Sequence, residues 1–166
     1  MGSAGRFDGR TAIVTGAASG IGRATALRVA SEGASVACLD LADAVHDTAA
    51  TIRDAGGSAV AVAVDVSDEA SVAAGVEAAA TELGTATILA NVAGVLRFAI
   101  THEASVPDFD LMIAVNLKGP FLMSRAVIPG MLAAGGGAIV NVASSAGMFG
   151  QAYNAGYGAS KGGVAI

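Results

Sequence analysis

Residues Thr11 to Gly33 read TAIVTGAASGIGRATALRVASEG. The β-branched run Thr11 to Thr15, set off by Asp8-Gly9 before it and Gly16 after it, reads as a buried strand. A glycine turn follows at once, and the small and apolar residues after Gly22 suit a helix that stops at Gly33. Strand, glycine turn and helix in that order are what a phosphate cradle needs. Gly16 permits the sharp turn, Gly20 lets the backbone approach a pyrophosphate, and Gly22 lets the helix pack closely on the strand with its N-terminal N–H groups facing the anion. Gly16, Ser19, Gly20, Ile21 and Gly22 are therefore assigned to a dinucleotide.

Outward from this turn, Ser35 to Leu39 (SVACL) is a second strand, with Asp40 at its C-terminal end, 24 residues after Gly16. A carboxylate there accepts hydrogen bonds from both hydroxyls of an adenosine ribose and repels a 2′-phosphate, which favours NAD over NADP. Ser19 and Leu41 are uncharged, so no neighbouring cation is evident to neutralise an extra phosphate. The competing reading is that Asp40 only caps a helix starting near Ala42. That helix runs to Ala55, Ser58 to Val64 is a third buried strand, and Asp65 ends it. Ser67-Asp68-Glu69 opens another helix, with Ser67 as its possible cap, ending near Leu83.

Thr87 to Ala90 is a fourth strand running into Asn91-Val92-Ala93-Gly94. Ala93 and Gly94 leave room for a ligand against the backbone, and the Asn91 amide can tie neighbouring strands together. From about Ser105 to Ala134 the chain is helix-like, with Pro107 near its start and Pro120 within it. Proline has no N–H, so the carbonyl four residues earlier, that of Asn116, loses its usual helical partner. A water held there could feed protons towards Lys161; a plain packing kink is the simpler alternative. Gly135-Gly136-Gly137 ends the helix, and Ala138 to Ala143 is a fifth strand that delivers Ser144.

Ala143 to Lys161 reads ASSAGMFGQAYNAGYGASK and places Ser144 thirteen residues before Tyr157 and Lys161 four after it. If a helix opens near Tyr157, a spacing of four sets phenol and ammonium on one face. A phenol ordinarily titrates near pH ~10, and bringing it to about 7 takes roughly 4 kcal/mol of preferential stabilisation of the phenolate. A neighbouring ammonium and the cationic ring of a bound cofactor could supply it, while the Ser144 hydroxyl hydrogen-bonds a carbonyl or alcohol oxygen. Taken alone, Tyr-x-x-x-Lys also fits a surface helix with a packed tyrosine and a solvated lysine.

Five strands alternating with helices make this an α/β chain, one doubly wound parallel sheet of Rossmann-like type in the order 3-2-1-4-5, with residues 1–166 forming a single domain. Gly16, Asp40, Asp65, Asn91 and Ser144 then all fall at the carboxyl ends of strands, where ligands bind. The composition agrees: 54% hydrophobic residues argue for a sizeable core, and a net charge of −5 gives no footing for nucleic acid. Cys38 is the only cysteine and reads as buried filler; His46 and His102 have no companions at metal-ligand spacing, so no metal is assigned. No stretch approaches ~18 uninterrupted apolar residues, and MGSAGRFDGR lacks the apolar core of a signal peptide, so no membrane segment and a cytoplasmic location are expected.

Together these residues closely resemble the short-chain dehydrogenase/reductase family over nearly all of the chain. Thr15 to Gly22 is similar to its TGxxxGxG motif, Asn91 to Gly94 to its NNAG motif, and Asn116, Ser144, Tyr157 and Lys161 to its catalytic residues. The resemblance implies an NAD(H)-dependent oxidoreductase interconverting a secondary alcohol and a ketone. Tyr157 would be the general acid/base and Ser144 would orient the reacting oxygen. Lys161 would hold the nicotinamide ribose and favour the phenolate, and Asn116 would support a relay water. Asp65 would lie near the adenine, with Val66, Asn91, Ala93 and Gly94 also counted as cofactor-binding. Val92 departs from the family's second asparagine, with a small loss of local hydrogen bonding expected. The family also implies a homo-oligomer, dimer or tetramer, pairing through the long helix and the lysine-bearing helix. Family members usually continue beyond the lysine-bearing helix, whereas Ile166 lies five residues past Lys161, so the chain reads as truncated. The alternative function is a non-catalytic dinucleotide-binding or subunit-interaction module; a sugar-nucleotide epimerase is disfavoured by the glycine spacing. Phe98, Met148, Phe149 and Tyr153 in the loops suggest a partly hydrophobic substrate.

Overall fold

The computed structural model describes residues 5–166. Strands β1 (Thr11–Thr15), β2 (Ser35–Asp40), β3 (Ala59–Ala63), β4 (Ile88–Asn91) and β5 (Ala138–Asn141) form one parallel sheet in the order β3-β2-β1-β4-β5, as the alternation of elements requires. The helices are α1 (Gly20–Ser31), α2 (Val45–Asp54), α3 (Glu69–Leu83), α4 (Val106–Ile113), α5 (Gly119–Ala133) and α6 (Ala155–Ala165). The central strand β1 has Ala12 beside Val36 of β2 on one side and Ile88 of β4 on the other, and all its residues are buried. Burial on both faces is why it reads as a continuous apolar run rather than an alternation.

Side chains of β1 alternate between two core layers. Ala12 and Val14 pack with Val36, Cys38 and the helix residues Ala26, Ala49 and Ile52 beneath α1 and α2. Ile13 packs with Leu39, Leu89, Val72, Met123 and Val127 on the opposite face, beneath α3 and α5. Each fully buried side chain of the Ile13 or Leu89 kind stabilises the fold by about 1.5–3 kcal/mol. Cys38 is buried in the first layer, and desolvation pushes its thiol up to about 11, so it behaves as a small apolar residue.

The structure corrects several local expectations. α2 begins at Val45 rather than Ala42, because the Asp40 carboxylate takes the Ala42 N–H at 3.0 Å in a turn before the helix. The cap of α3 is Asp68 rather than Ser67: Asp68 has extended backbone angles and its carboxylate accepts from the Ser71 N–H at 2.7 Å. Ser67 instead donates its hydroxyl to Asp65 at 2.6 Å. β3 and β5 end one and two residues earlier than expected, at Ala63 and Asn141. The long helix is not one uniform α-helix. Residues Ala114–Lys118 form a single wide π turn, in which the Gly119 N–H donates to the Ala114 carbonyl five residues back. Pro120 falls in the first turn of α5, where its missing N–H is tolerated, and the proline inside that helix is Pro129.

By length and composition alone, the run Val106–Ala133 could cross a membrane. Here its Leu122, Met123, Val127 and Met131 are buried in the second core layer, and Lys118 and Arg125 interrupt its exposed side. Among the described residues β5 pairs only with β4 and lies at the edge of the sheet.

Candidate active site

At the carboxyl ends of the strands lies an open cleft of about 580 Å³. One wall is the glycine turn, with Gly16, Ser19, Gly20, Ile21 and Gly22 all lining it. Gly16 and Gly20 have φ of 68° and 51°, the left-handed region that glycine enters without penalty. A Cβ on Gly22 would lie 2.0 Å from the Gly16 carbonyl oxygen, and one on Gly16 would lie 2.9 Å from the Ala93 backbone. The turn is thus closed on itself and against the segment after β4 by main-chain contact.

Asp40 lines the cleft beside this turn. Its carboxylate accepts from the Ala18 N–H and the Ala42 N–H, both at 3.0 Å, which fixes it across the mouth of the turn. It therefore braces a turn rather than capping α2. Asp65 and Val66 line the next part of the cleft. The Asp65 carboxylate is held by the Ser67 N–H at 2.8 Å.

Ala93 and Gly94 come from the segment after β4 and also line the cleft. Thr15 places this segment: its Oγ1 accepts from the Val92 N–H at 3.0 Å and the Ala93 N–H at 3.1 Å. The valine at position 92 thus keeps its main-chain anchorage. Asn91 itself does not line the cleft; its Nδ2 donates to Asn141 Oδ1 at 2.8 Å, tying β4 to β5. A Cβ added at Gly94 would lie 3.3 Å from Asn116 Oδ1 and 3.6 Å from Lys161 Nζ, so Gly94 marks where these two side chains converge.

Tyr157 and Lys161, one turn apart on α6, both line the same cleft as the glycine turn. Tyr157 is half-buried, whereas Lys161 is only 5% exposed and donates to the Val142 carbonyl at 2.6 Å. Burial pulls the Lys161 ammonium below the ordinary lysine range, because the charged form gives up water. Asn116 is fully buried in the π turn, its Oδ1 accepting from the Val95 N–H at 2.8 Å and its Nδ2 donating to the Val95 carbonyl at 2.9 Å. Ser144 stands three residues past β5 and is not among the residues that line the cleft; its Oγ accepts from the Ala146 N–H at 3.2 Å and opens a single 3₁₀ turn. Tyr157 and Lys161 thus line the cleft themselves, whereas Asn116 and Ser144 are not among its lining residues.

Sequence reasoning missed Thr15 as an anchor, the Val142 carbonyl as the partner of Lys161, and Leu96 and Val115 as apolar lining. The TG pair at residues 15 and 16 was a signal for the first; nothing local announced the others.

A parallel sheet with a glycine turn after its first strand, an acid after its second and a Tyr/Lys pair lining the same cleft defines an α/β scaffold of the dinucleotide-binding type. Residues 10–166 match the family profile described as short chain dehydrogenase. The chain belongs to that family. It is 48% identical over 160 residues to a D-threitol dehydrogenase from Mycolicibacterium smegmatis, covering 96% of this chain and 62% of that protein. Against a cis-4-hydroxycyclohexanecarboxylate dehydrogenase from Sinomonas cyclohexanicum the identity is 46%, covering 96% of this chain and 64% of that one. A short chain dehydrogenase/reductase from Burkholderia phymatum, solved in complex with NAD, superimposes with a TM-score of 0.93 at 37% identity, covering 96% of this chain and 57% of that chain. The chain thus spans less than two thirds of the length of these relatives.

Proposed function

We propose that this chain is the cofactor-binding and proton-transferring part of an NAD(H)-dependent oxidoreductase that interconverts a secondary alcohol and a ketone. The observation that carries the reading is that Tyr157 and Lys161 share one cleft with the glycine turn and Asp40. The glycine turn would hold the pyrophosphate, Asp40 the adenosine ribose hydroxyls, and Asp65 and Val66 the adenine end. Asn91, Ala93 and Gly94 would form or brace the floor beneath the nicotinamide half. The nicotinamide, when bound, supplies or accepts the hydride at the carbinol carbon. In oxidation the Tyr157 phenolate oxygen takes the proton of the substrate hydroxyl; in reduction the phenol returns it to the carbonyl oxygen. Lys161 places positive charge beside that oxygen and reaches the ribose. Ser144 donates its hydroxyl proton to the reacting oxygen, and the Asn116 carbonyl, in the π turn, holds a water that passes protons towards Lys161.

The similarity to a D-threitol and a hydroxycyclohexanecarboxylate dehydrogenase supports a small, hydroxyl-bearing substrate. Exposed Phe121 and Leu132 on α5 support a homo-oligomer, dimer or tetramer. We assign it a cytoplasmic setting with no nucleic-acid partner, in keeping with its single buried thiol and net charge of −5.

The test is NADH formation by the full-length protein on a panel of polyols and cyclic secondary alcohols. Tyr157→Phe should lower turnover by about 10²–10⁴-fold while leaving NAD affinity within about twofold. Near-normal rates would remove Tyr157 from this role. NAD binding with no alcohol turned over would favour the non-catalytic module.

A further inference from the structure

Ser160 is wholly buried on α6, between Tyr157 and Lys161. Its hydroxyl donates to the Tyr157 backbone carbonyl at 2.8 Å and accepts from Asn116 Nδ2 at 3.0 Å. A hydroxyl has one proton, so donating to the carbonyl leaves only acceptor capacity towards Asn116, and the amide must present nitrogen rather than oxygen. Nδ2 gives its second proton to the Val95 carbonyl, and Oδ1 takes the Val95 N–H. The Asn116 side chain is then oriented on every side. Three segments are strung together: Val95 on the cleft wall, the π turn, and the turn of α6 that presents the phenol and the ammonium.

Helix propensity alone would favour alanine at position 160, and a buried hydroxyl is unfavourable unless bonded. A serine that bonds back to its own helix often bends it slightly. What the hydroxyl adds here is the link to Asn116.

We propose that Ser160 is a positioning residue for the alcohol–ketone reaction, locking α6 to the π turn so that Tyr157 and Lys161 keep their aim into the cleft. The proposal rests on the reading of Tyr157 as the proton-transferring group. It is tested in the full-length protein with Ser160→Ala, Asn116→Ala, the double variant and Tyr157→Phe. Rates are compared at a temperature at which circular dichroism shows each variant folded.

Ser160→Ala should lower kcat about tenfold, as expected when a reacting group loses its alignment, with KM for NAD changed by no more than about twofold. Because the link is cut by either change, the double variant should be no slower than the slower single one. Ser160→Thr, which keeps the hydroxyl, should recover most of the rate. A purely structural serine would give a lowered melting temperature with kcat intact, or losses that multiply in the double variant; either result overturns the proposal, as does a Ser160→Ala chain that folds at no temperature. If Tyr157→Phe turns over normally, the underlying reading of Tyr157 falls and the proposal with it. If Tyr157→Phe is inactive while Ser160→Ala matches the parent, only the proposal about Ser160 falls.

Discussion

Strands β1 and β5 are both short, apolar and parallel, yet every residue of β1 is buried while Val140 of β5 is 58% exposed. β1 has a strand on either side; among the described residues β5 has one neighbour. The contrast carries through to what each end brings to the cleft. Beyond β1 comes a turn whose shape is set by main-chain packing, with no space for a Cβ at Gly22. Beyond β5 come side chains on α6 held by individual hydrogen bonds, Lys161 to the Val142 carbonyl and Ser160 to Asn116. The glycine-turn end is therefore sensitive to added atoms, and the Tyr157/Lys161 end to removed ones.

The largest effect that would sharpen this contrast is expected from Gly22→Ala. Its Cβ would meet the Gly16 carbonyl, which is backbone and cannot swing aside. The turn must open, with a stability loss of about 1–3 kcal/mol by overpacking and loss of measurable NAD affinity. Calorimetric titration with NAD and a urea melt check this, and parent-like binding would break the idea that the turn is closed sterically.

Next in size is Asp40→Ala combined with Leu41→Arg, which removes the carboxylate and adds a cation at the same cleft wall. The ratio of kcat/KM for NADP over NAD should rise by at least about tenfold, the counterpart of ~1.4 kcal/mol. An unchanged ratio would contradict the ribose assignment, and would mean that side chains at this end only brace the turn.

The smallest effect belongs to Glu32, at the end of α1. Hydrogen bonds from Arg6, then Arg28, outweigh its partial burial and hold its carboxyl down to about 2, against an ordinary 4.5. A depressed carboxylate stabilises the fold above its unfolded pKa and ceases to do so as pH falls through its folded one. Glu32→Gln should thus lower stability slightly at pH 7, and parent and variant should converge as pH falls from 4.5 towards 2. Urea melts across that range decide it; a constant gap would show that the ion pair is not the cause.

Most of the scaffold was legible because its signals are local. The strand run Thr11 to Thr15 was read to the residue, and so were the sharp turn at Gly16 and the close packing at Gly22, since φ freedom and close packing are properties of glycine itself. Boundaries slipped where a polar side chain captured a backbone group first, as Asp40 does ahead of α2 and Asp68 ahead of α3. Pro120 drew the eye as a helix breaker, but the irregularity is the π turn before it, around the buried amide of Asn116. An amide that satisfies Val95 and Ser160 leaves no mark in hydropathy.

The amino-acid sequence by itself determined the parallel sheet, its strand order, the cradle and the Tyr157/Lys161 pair, because periodicity, turn chemistry and a spacing of four act over a few residues. Only the tertiary structure decided that Thr15 would hold a segment 77 residues away, that Asn116 would meet Ser160 44 residues on, and that Lys161 would point at the Val142 carbonyl. Hydroxyls, amides and ammonium groups take whichever partner the packed chain brings within about 3 Å, and that choice is made by the fold as a whole.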